Sequence, residues 1–168
     1  QAKPDDVVVL HYSGYGSRVK LEMQETEQNA LVLFNQTDGQ ESKKVNYLLE
    51  ETLLLMLRSL ATNHVTAVLD TSYYTPSNSL PTNLRIRACP GPEQAIVLAK
   101  ELQLQKQLQA KVKSEKSVIV LCATSTPKEF AREEQFSGFS AGLFTYALTQ
   151  YLWQAIPAIT IQVCLSYV

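Results

Sequence analysis

The stretch VTAVLDTSYY (residues 65–74) is the strongest indication of the fold in this sequence. It begins with an apolar segment typical of a buried strand and continues into a segment that starts with the polar residues Asp, Thr and Ser. Residues 65–69 are almost all apolar and largely β-branched or aliphatic. A strand covered on both faces in a parallel sheet shows such a run instead of strict alternation. Residues 7–11 and 117–122 have the same character. Together the three runs predict a parallel sheet with helices on both sides.

The rest of the chain alternates between further strands and helices. Residues 30–34 and 159–163 predict two more strands. Apolar residues spaced by three and four predict helices over 46–62, 93–113 and 139–156, the second largely exposed because its apolar stripe is sparse. This alternation predicts the α/β class, as a three-layer αβα sandwich with a mainly parallel sheet.

Loops at the carboxyl ends of the strands form the ligand crevice in sheets of this type. We therefore expect residues 11–17, 70–76 and 123–136 to meet at one edge. Residues 73–92 are rich in Ser, Thr, Asn and Pro and are interpreted as a loop or linker.

Composition narrows the function classes. The chain has 168 residues, 45% hydrophobic and 18% charged, with a net charge of −1, which fits one globular domain. Lys and Arg form no run, so neither nucleic acid nor an anionic membrane is expected as a partner. Three distant cysteines and two histidines give no disulfide framework and no metal spacing, so we expect no cofactor and a reducing, cytoplasmic location.

The polar start and apolar end of the chain look like cut points within a longer protein.

Three segments in order resemble the caspase and metacaspase superfamily. The first, DVVVLHYSGYG (residues 6–16), is similar to the family strand that ends in Tyr-Ser-Gly-His-Gly, and Tyr15 stands where the catalytic His belongs. The second is residues 65–74, similar to the strand that ends in Asp-Ser-Cys-His-Ser-Gly, and Ser72 stands at the nucleophilic Cys. The third, residues 118–152, looks like the small-subunit region. This pair of replacements resembles inactive orthocaspases of bacteria, cyanobacteria in particular.

The resemblance implies a caspase-haemoglobinase fold that lacks its first strands, and hence an incomplete sheet with an exposed edge. The whole chain, 1–168, would be a partial caspase-like domain. Residues 1–76 would form a large-subunit-like part with both catalytic-position loops, residues 77–116 a linker and exposed helix, and residues 117–168 a small-subunit-like part.

The two substitutions remove the nucleophile and the base of a cysteine peptidase together. A Ser hydroxyl depends on a base for its activation, and a Tyr phenol with an ordinary pKa near 10 does not accept that proton at neutral pH. We therefore predict a pseudo-peptidase that binds a protein or peptide partner. The alternative is an endopeptidase with an Arg or Lys P1 preference that uses Ser72 or retains residual activity.

One acidic residue is a candidate for substrate binding. Asp70 matches the family position that helps bind a basic P1 side chain, or it caps nearby backbone amides at the end of its strand. The resemblance places the partnering acidic position of the family upstream of residue 1, so it implies a pocket that is at best half present. Glu133 lies in the acidic stretch 128–134, which is interpreted as a solvated loop.

Other candidates have plainer interpretations. His11 is either a base for Ser72 or, more simply, a core or strand-end histidine inside the sandwich, and His64 is expected at the far, amino end of its strand. Cys122 is a reactive thiol or, more simply, a small buried hydrophobic residue. Tyr15, with its aromatic neighbours at 73 and 74, is expected to face the crevice and fill the vacated site. Gly14 and Gly16 allow a tight turn and do not form a phosphate loop.

Overall fold

The computed structural model describes residues 2–22, 26–35, 44–74, 84–93, 99–112, 116–124 and 128–154. Within them the chain forms nine strands and three helices. In chain order they are β1 (Val7–Ser13), β2 (Gly16–Lys20), β3 (Glu27–Asn35), β4 (Lys44–Leu49), α1 (Glu50–Arg58), β5 (His64–Asp70), β6 (Arg85–Ile86), α2 (Ala99–Lys111), β7 (Ile119–Cys122), β8 (Arg132–Phe136), β9 (Phe139–Gly142) and α3 (Leu143–Gln154).

The predicted parallel sheet is formed by β1, β5 and β7, in the order β1-β5-β7. α1 covers one face, where Leu53 and Leu57 pack on Ala67 and Leu69. The first turn of α3 contacts the other face, through hydrogen bonds from Thr145 to Asp70. Helices thus lie on both sides of the sheet, and the α/β class is confirmed.

Two antiparallel sheets, β2-β3-β4 and β6-β8-β9, were not predicted as such. Residues 30–34 do form a strand, β3, but it pairs antiparallel with β2 and β4. The helix predicted over 46–62 begins only at Glu50, and the helix predicted over 139–156 begins only at Leu143. In both cases the apolar residues before the helix pair with a neighbouring strand instead. The strand predicted at 159–163 lies outside the described residues.

α2 joins the β2-β3-β4 sheet to α1. Gln105 donates a 2.7 Å hydrogen bond to the Thr52 hydroxyl, and both residues are buried. Glu101 accepts a 2.8 Å hydrogen bond from the amide of Leu49, the residue that caps α1 and has no capping side chain of its own. Most of the other residues of α2 are exposed, as predicted.

β1 lies at one edge of the parallel sheet within the described residues. On its face opposite α1, Val7 and Val9 are 75% and 64% exposed. The carboxyl end of β5, in contrast, is buried at Asp70, whereas Ser13 at the end of β1 is exposed. The two strand ends are joined by a 3.2 Å hydrogen bond from the amide of Gly14 to the carbonyl of Asp70.

Candidate functional site

The loops after β1 and β5 meet at a single backbone carbonyl. The oxygen of Arg87 accepts hydrogen bonds from the amide of Gly16, at 3.1 Å, and from the amide of Ser72, at 3.2 Å. Gly16 follows Tyr15, and Ser72 is the second sequence-predicted position. The structure therefore brings the two predicted positions to one edge of the sheet, with a third segment lying between them.

This approach depends on the missing side chain of Gly16. A Cβ at that position would collide with the carbonyl of Ser72 and would lie 2.7 Å from the ring of Tyr73. Because Gly16 has none, the two loops contact each other through their backbones.

The guanidinium of Arg87 lies in an acidic pocket formed by Ser13, Asp70 and Glu133. Its Nε is 3.8 Å from Asp70 Oδ1, and its Nη2 is 3.6 Å from Glu133 Oε2. Its Nη1 donates a 2.9 Å hydrogen bond to the Ser13 hydroxyl. Arg87 is 8% exposed and Asp70 is fully buried, so their charges attract each other with little screening by water.

Asp70 has a second set of contacts on its other oxygen. Oδ2 accepts from the amide of Thr145, at 3.1 Å, and from the hydroxyl of the same residue. Asp70 therefore also bonds the first turn of α3, where a carboxylate is favoured by the free amides. A Cβ on Gly142 would collide with Asp70 Oδ2 and lie 2.6 Å from Arg87 Nε, so the pocket also requires a glycine there.

Glu133 is not in a solvated loop, and that interpretation was wrong. It belongs to β8, its side chain is 21% exposed, and it contacts both Arg85 and Arg87. The acidic stretch reaches the site because β8 pairs antiparallel with β6 and carries Glu133 next to Arg85.

Ser72 and Tyr15 lie in opposite environments. Ser72 is fully buried, and its hydroxyl has no hydrogen-bond partner. Tyr15 is 41% exposed, and its carbonyl accepts from the amide of Val32 and lies 2.7 Å from the Tyr12 hydroxyl. The Tyr15 ring is therefore partly in solvent, and the expectation that it fills the vacated site is wrong.

Neither histidine bonds Ser72. His11 is exposed and not inside the sandwich, and its Nε2 is 3.1 Å from the hydroxyl oxygen of Thr145. The proton of that hydroxyl goes to Asp70, so the oxygen accepts and His11 Nε2 donates. His64 is exposed at the amino end of β5, as predicted.

The two cysteine thiols in the described part of the chain, Cys89 and Cys122, show no sign of activation. Cys122 ends β7 as predicted, but it is exposed and not a buried hydrophobic residue. Although the residue as a whole is exposed, its sulfur is partly desolvated by the surrounding protein, and this raises the pKa of the thiol; the charge of Glu50 raises it further. Burial likewise raises the pKa of Cys89. Reactive cysteines have lowered pKa values, so both shifts go against a nucleophilic role.

The ring of Tyr73, the tyrosine after Ser72, packs against the core and also lines a cavity together with Tyr74 and Cys89. Tyr73 contacts the core cluster beneath α1, and burial raises the pKa of its phenol. Tyr73 thus anchors the loop after β5 to the hydrophobic core.

Among the described residues, no group of three or more His, Cys, Asp and Glu side chains is placed to hold a metal ion.

Sequence reasoning missed Arg87, the central residue of the site. The available signal was the stretch RIRACP (residues 85–90), in which a β-branched residue separates two arginines within a loop-like region. A β-branched centre favours an extended conformation, but nothing local indicates that Asp70 and Glu133 would be its partners.

The family model described as "Caspase domain" matches residues 1–168. No curated protein matches the chain. No helix in the described ranges is long and apolar enough to cross a membrane. Because the family model spans the whole sequence, the chain belongs to the caspase-domain peptidase family.

Proposed function

We propose that this caspase-family domain is a pseudo-peptidase of the orthocaspase type that binds a basic residue of a protein or peptide in the cytoplasm and does not cleave the chain beside it. The single observation that carries the proposal is the contrast between an acidic pocket that encloses a cation and a buried hydroxyl without a partner. Arg87 Nε and Asp70 Oδ1 meet in that pocket as an ion pair at 3.8 Å and not as a hydrogen bond. Asp70 and Glu133 hold a guanidinium, whereas the Ser72 hydroxyl is buried without a partner.

Peptide hydrolysis at this site would require a base in contact with Ser72. A general base contributes about 10²–10⁴-fold to such a reaction and must lie within hydrogen-bond reach of the nucleophile. The family's base position holds Tyr15, and the nearby His11 donates to Thr145 instead. Binding of a basic residue, by contrast, requires only the acidic pocket and the backbone amides of Gly16 and Ser72, which the structure has in place.

The test compares the full chain with its Ser72→Ala variant on fluorogenic peptides that end in Arg or Lys. We expect no product from either protein, since the hydroxyl of Ser72 takes no part in a reaction. Cleavage by the wild type that the Ser72→Ala variant lacks would make Ser72 a nucleophile and would refute the proposal.

A further inference from the structure

An extended segment of the chain itself occupies the site. Residues 85–89, the internal strand, pair with β8 through Arg85 and Ile86, and the amide of Arg87 donates a 2.9 Å hydrogen bond to the carbonyl of Ala131. Beyond Arg87, Ala88 forms a parallel bridge with Gly16, and the amide of Cys89 donates a 2.9 Å hydrogen bond to the Gly16 carbonyl. The internal strand is thus bonded on both sides of Arg87.

The carbonyl of Arg87 lies where a peptidase polarises the bond that it cuts. Oxyanion holes are commonly built from two backbone amides, one of them the amide of the nucleophilic residue itself. Here the backbone donors are the amides of Ser72 and Gly16, which belong to the nucleophile position and to the residue after the base position. The Thr71 hydroxyl is a third, longer donor to the same oxygen, at 3.4 Å. The carbonyl they hold belongs to the peptide bond between Arg87 and Ala88.

The side chain of the same residue fills the acidic pocket to which the proposed function assigns a basic residue of the partner. Asp70 and Glu133 lie on either side of its guanidinium, and Ser13 accepts from it. A packing arginine elsewhere in the fold would show one of these features. Arg87 shows three together: strand pairing on its amino side, a carbonyl between two amides, and a cation between two carboxylates.

We propose that the internal strand is a built-in pseudosubstrate: residues 85–89 bind the domain's own groove with Arg87 as the P1 residue, and they exclude other basic peptides until they are displaced. This inference rests on the proposed function, because an active nucleophile would cut the strand that it holds. A tethered ligand acts at an effective concentration in the millimolar range, so a free peptide competes poorly with it.

The test measures the fluorescence anisotropy of a labelled Leu-Arg-Ile-Arg amide with the full chain. The matched control peptide, Leu-Arg-Ile-Ala amide, lacks the P1 cation. We expect no saturable binding to the wild type. The Arg87→Ala variant removes the internal cation and should bind the arginine peptide at least about 10-fold more tightly than the wild type, with no gain for the control peptide. The matched control variant, Arg58→Ala, removes an exposed arginine at the end of α1, outside the site, and should behave as the wild type.

A second variant covers the case in which Arg87→Ala does not fold. Cys89→Pro deletes the amide that bonds Gly16 while keeping Arg87 with its carboxylates, and it should also gain affinity for the arginine peptide. The proposal is wrong if the wild type binds the arginine peptide as tightly as both variants do. It is also wrong if neither variant, when folded, gains affinity for that peptide. Hydrolysis of the peptide by the wild type would instead refute the proposed function, so the two failures are distinguishable.

Discussion

The acidic pocket and the hydrolytic positions meet at the carboxyl ends of β1 and β5, but the pocket also includes Glu133 of β8, and the two differ in what their side chains contact. The pocket has a buried carboxylate, a second carboxylate on β8 and a hydroxyl, all in contact with Arg87. The hydrolytic positions have an unpartnered Ser72 hydroxyl and a partly exposed Tyr15. On the proposed function, this difference means that recognition of a basic residue persists without the hydrolytic chemistry. The pocket also contributes to the stability of the fold, because the guanidinium that it holds belongs to Arg87 of the same chain.

The largest expected effect comes from breaking the buried charge pair. Asp70→Ala leaves the guanidinium of Arg87 without its buried partner, and such a loss typically costs about 3–5 kcal/mol of the free energy of unfolding. Urea denaturation measures it. The matched control is Glu27→Gln at the half-exposed pair with Arg18, which should cost less than about 1 kcal/mol. Equal effects at the two sites would contradict the structural role of the pocket.

The next effect concerns the close packing around the same pocket. Gly142→Ala places a methyl group against Asp70 Oδ2 and Arg87 Nε, and the resulting strain should cost about 1–3 kcal/mol. Thermal unfolding of the variant measures this loss. A melting temperature equal to that of the wild type would show that the pocket is more open than the structure has it.

A smaller effect depends on pH. Burial raises the pKa of Tyr12 from 10.0 to about 12, and burial raises that of Tyr73 in the same direction. Above pH 10 the unfolded chain therefore loses these protons while the folded chain keeps them. The associated stability is complete below pH 10 and is lost as the pH rises toward 12.

Tyr12→Phe should flatten the part of this fall that belongs to Tyr12. At neutral pH it should cost about 1 kcal/mol, because the hydroxyl that lies within 2.7 Å of the Tyr15 carbonyl and 2.9 Å of the Val32 carbonyl is removed. Urea denaturation at pH 8, 10 and 11.5 measures both changes. An unaltered pH dependence in the variant would rule out Tyr12 as a contributor.

The smallest effect is expected at the nucleophile position. Ser72→Ala removes a buried hydroxyl that makes no hydrogen bond, so the variant should be as stable as the wild type or more stable by up to about 1 kcal/mol. Ser13→Ala is the matched comparison, because its hydroxyl accepts from Arg87 and its loss should cost about 1 kcal/mol. Greater destabilisation by Ser72→Ala than by Ser13→Ala would mean that Ser72 has a partner.

The sequence predicts the parts of the fold that depend on continuous apolar runs. The strands at 7–11, 65–70 and 117–122 were found from such runs, and Asp70 was placed beside the crevice because it ends one of them. The antiparallel strands β2, β6, β8 and β9 are short or polar, and their pairing depends on distant partners. Arg87 was missed for the same reason. Its contacts form only when β6 pairs with β8, and the local sequence does not indicate that pairing.

The most direct test of the central claim restores the missing chemistry. In the Tyr15→His/Ser72→Cys variant the thiolate should attack the Arg87 carbonyl and form a thioester, while the imidazolium protonates the leaving amine of Ala88. Water then hydrolyses the thioester, giving the Arg87 carboxylate and the free thiol. Intact mass spectrometry of the full chain should show two fragments, one ending at Arg87 and one beginning at Ala88, whereas the wild type stays whole. An uncut double variant, or cleavage at another bond, would contradict the account.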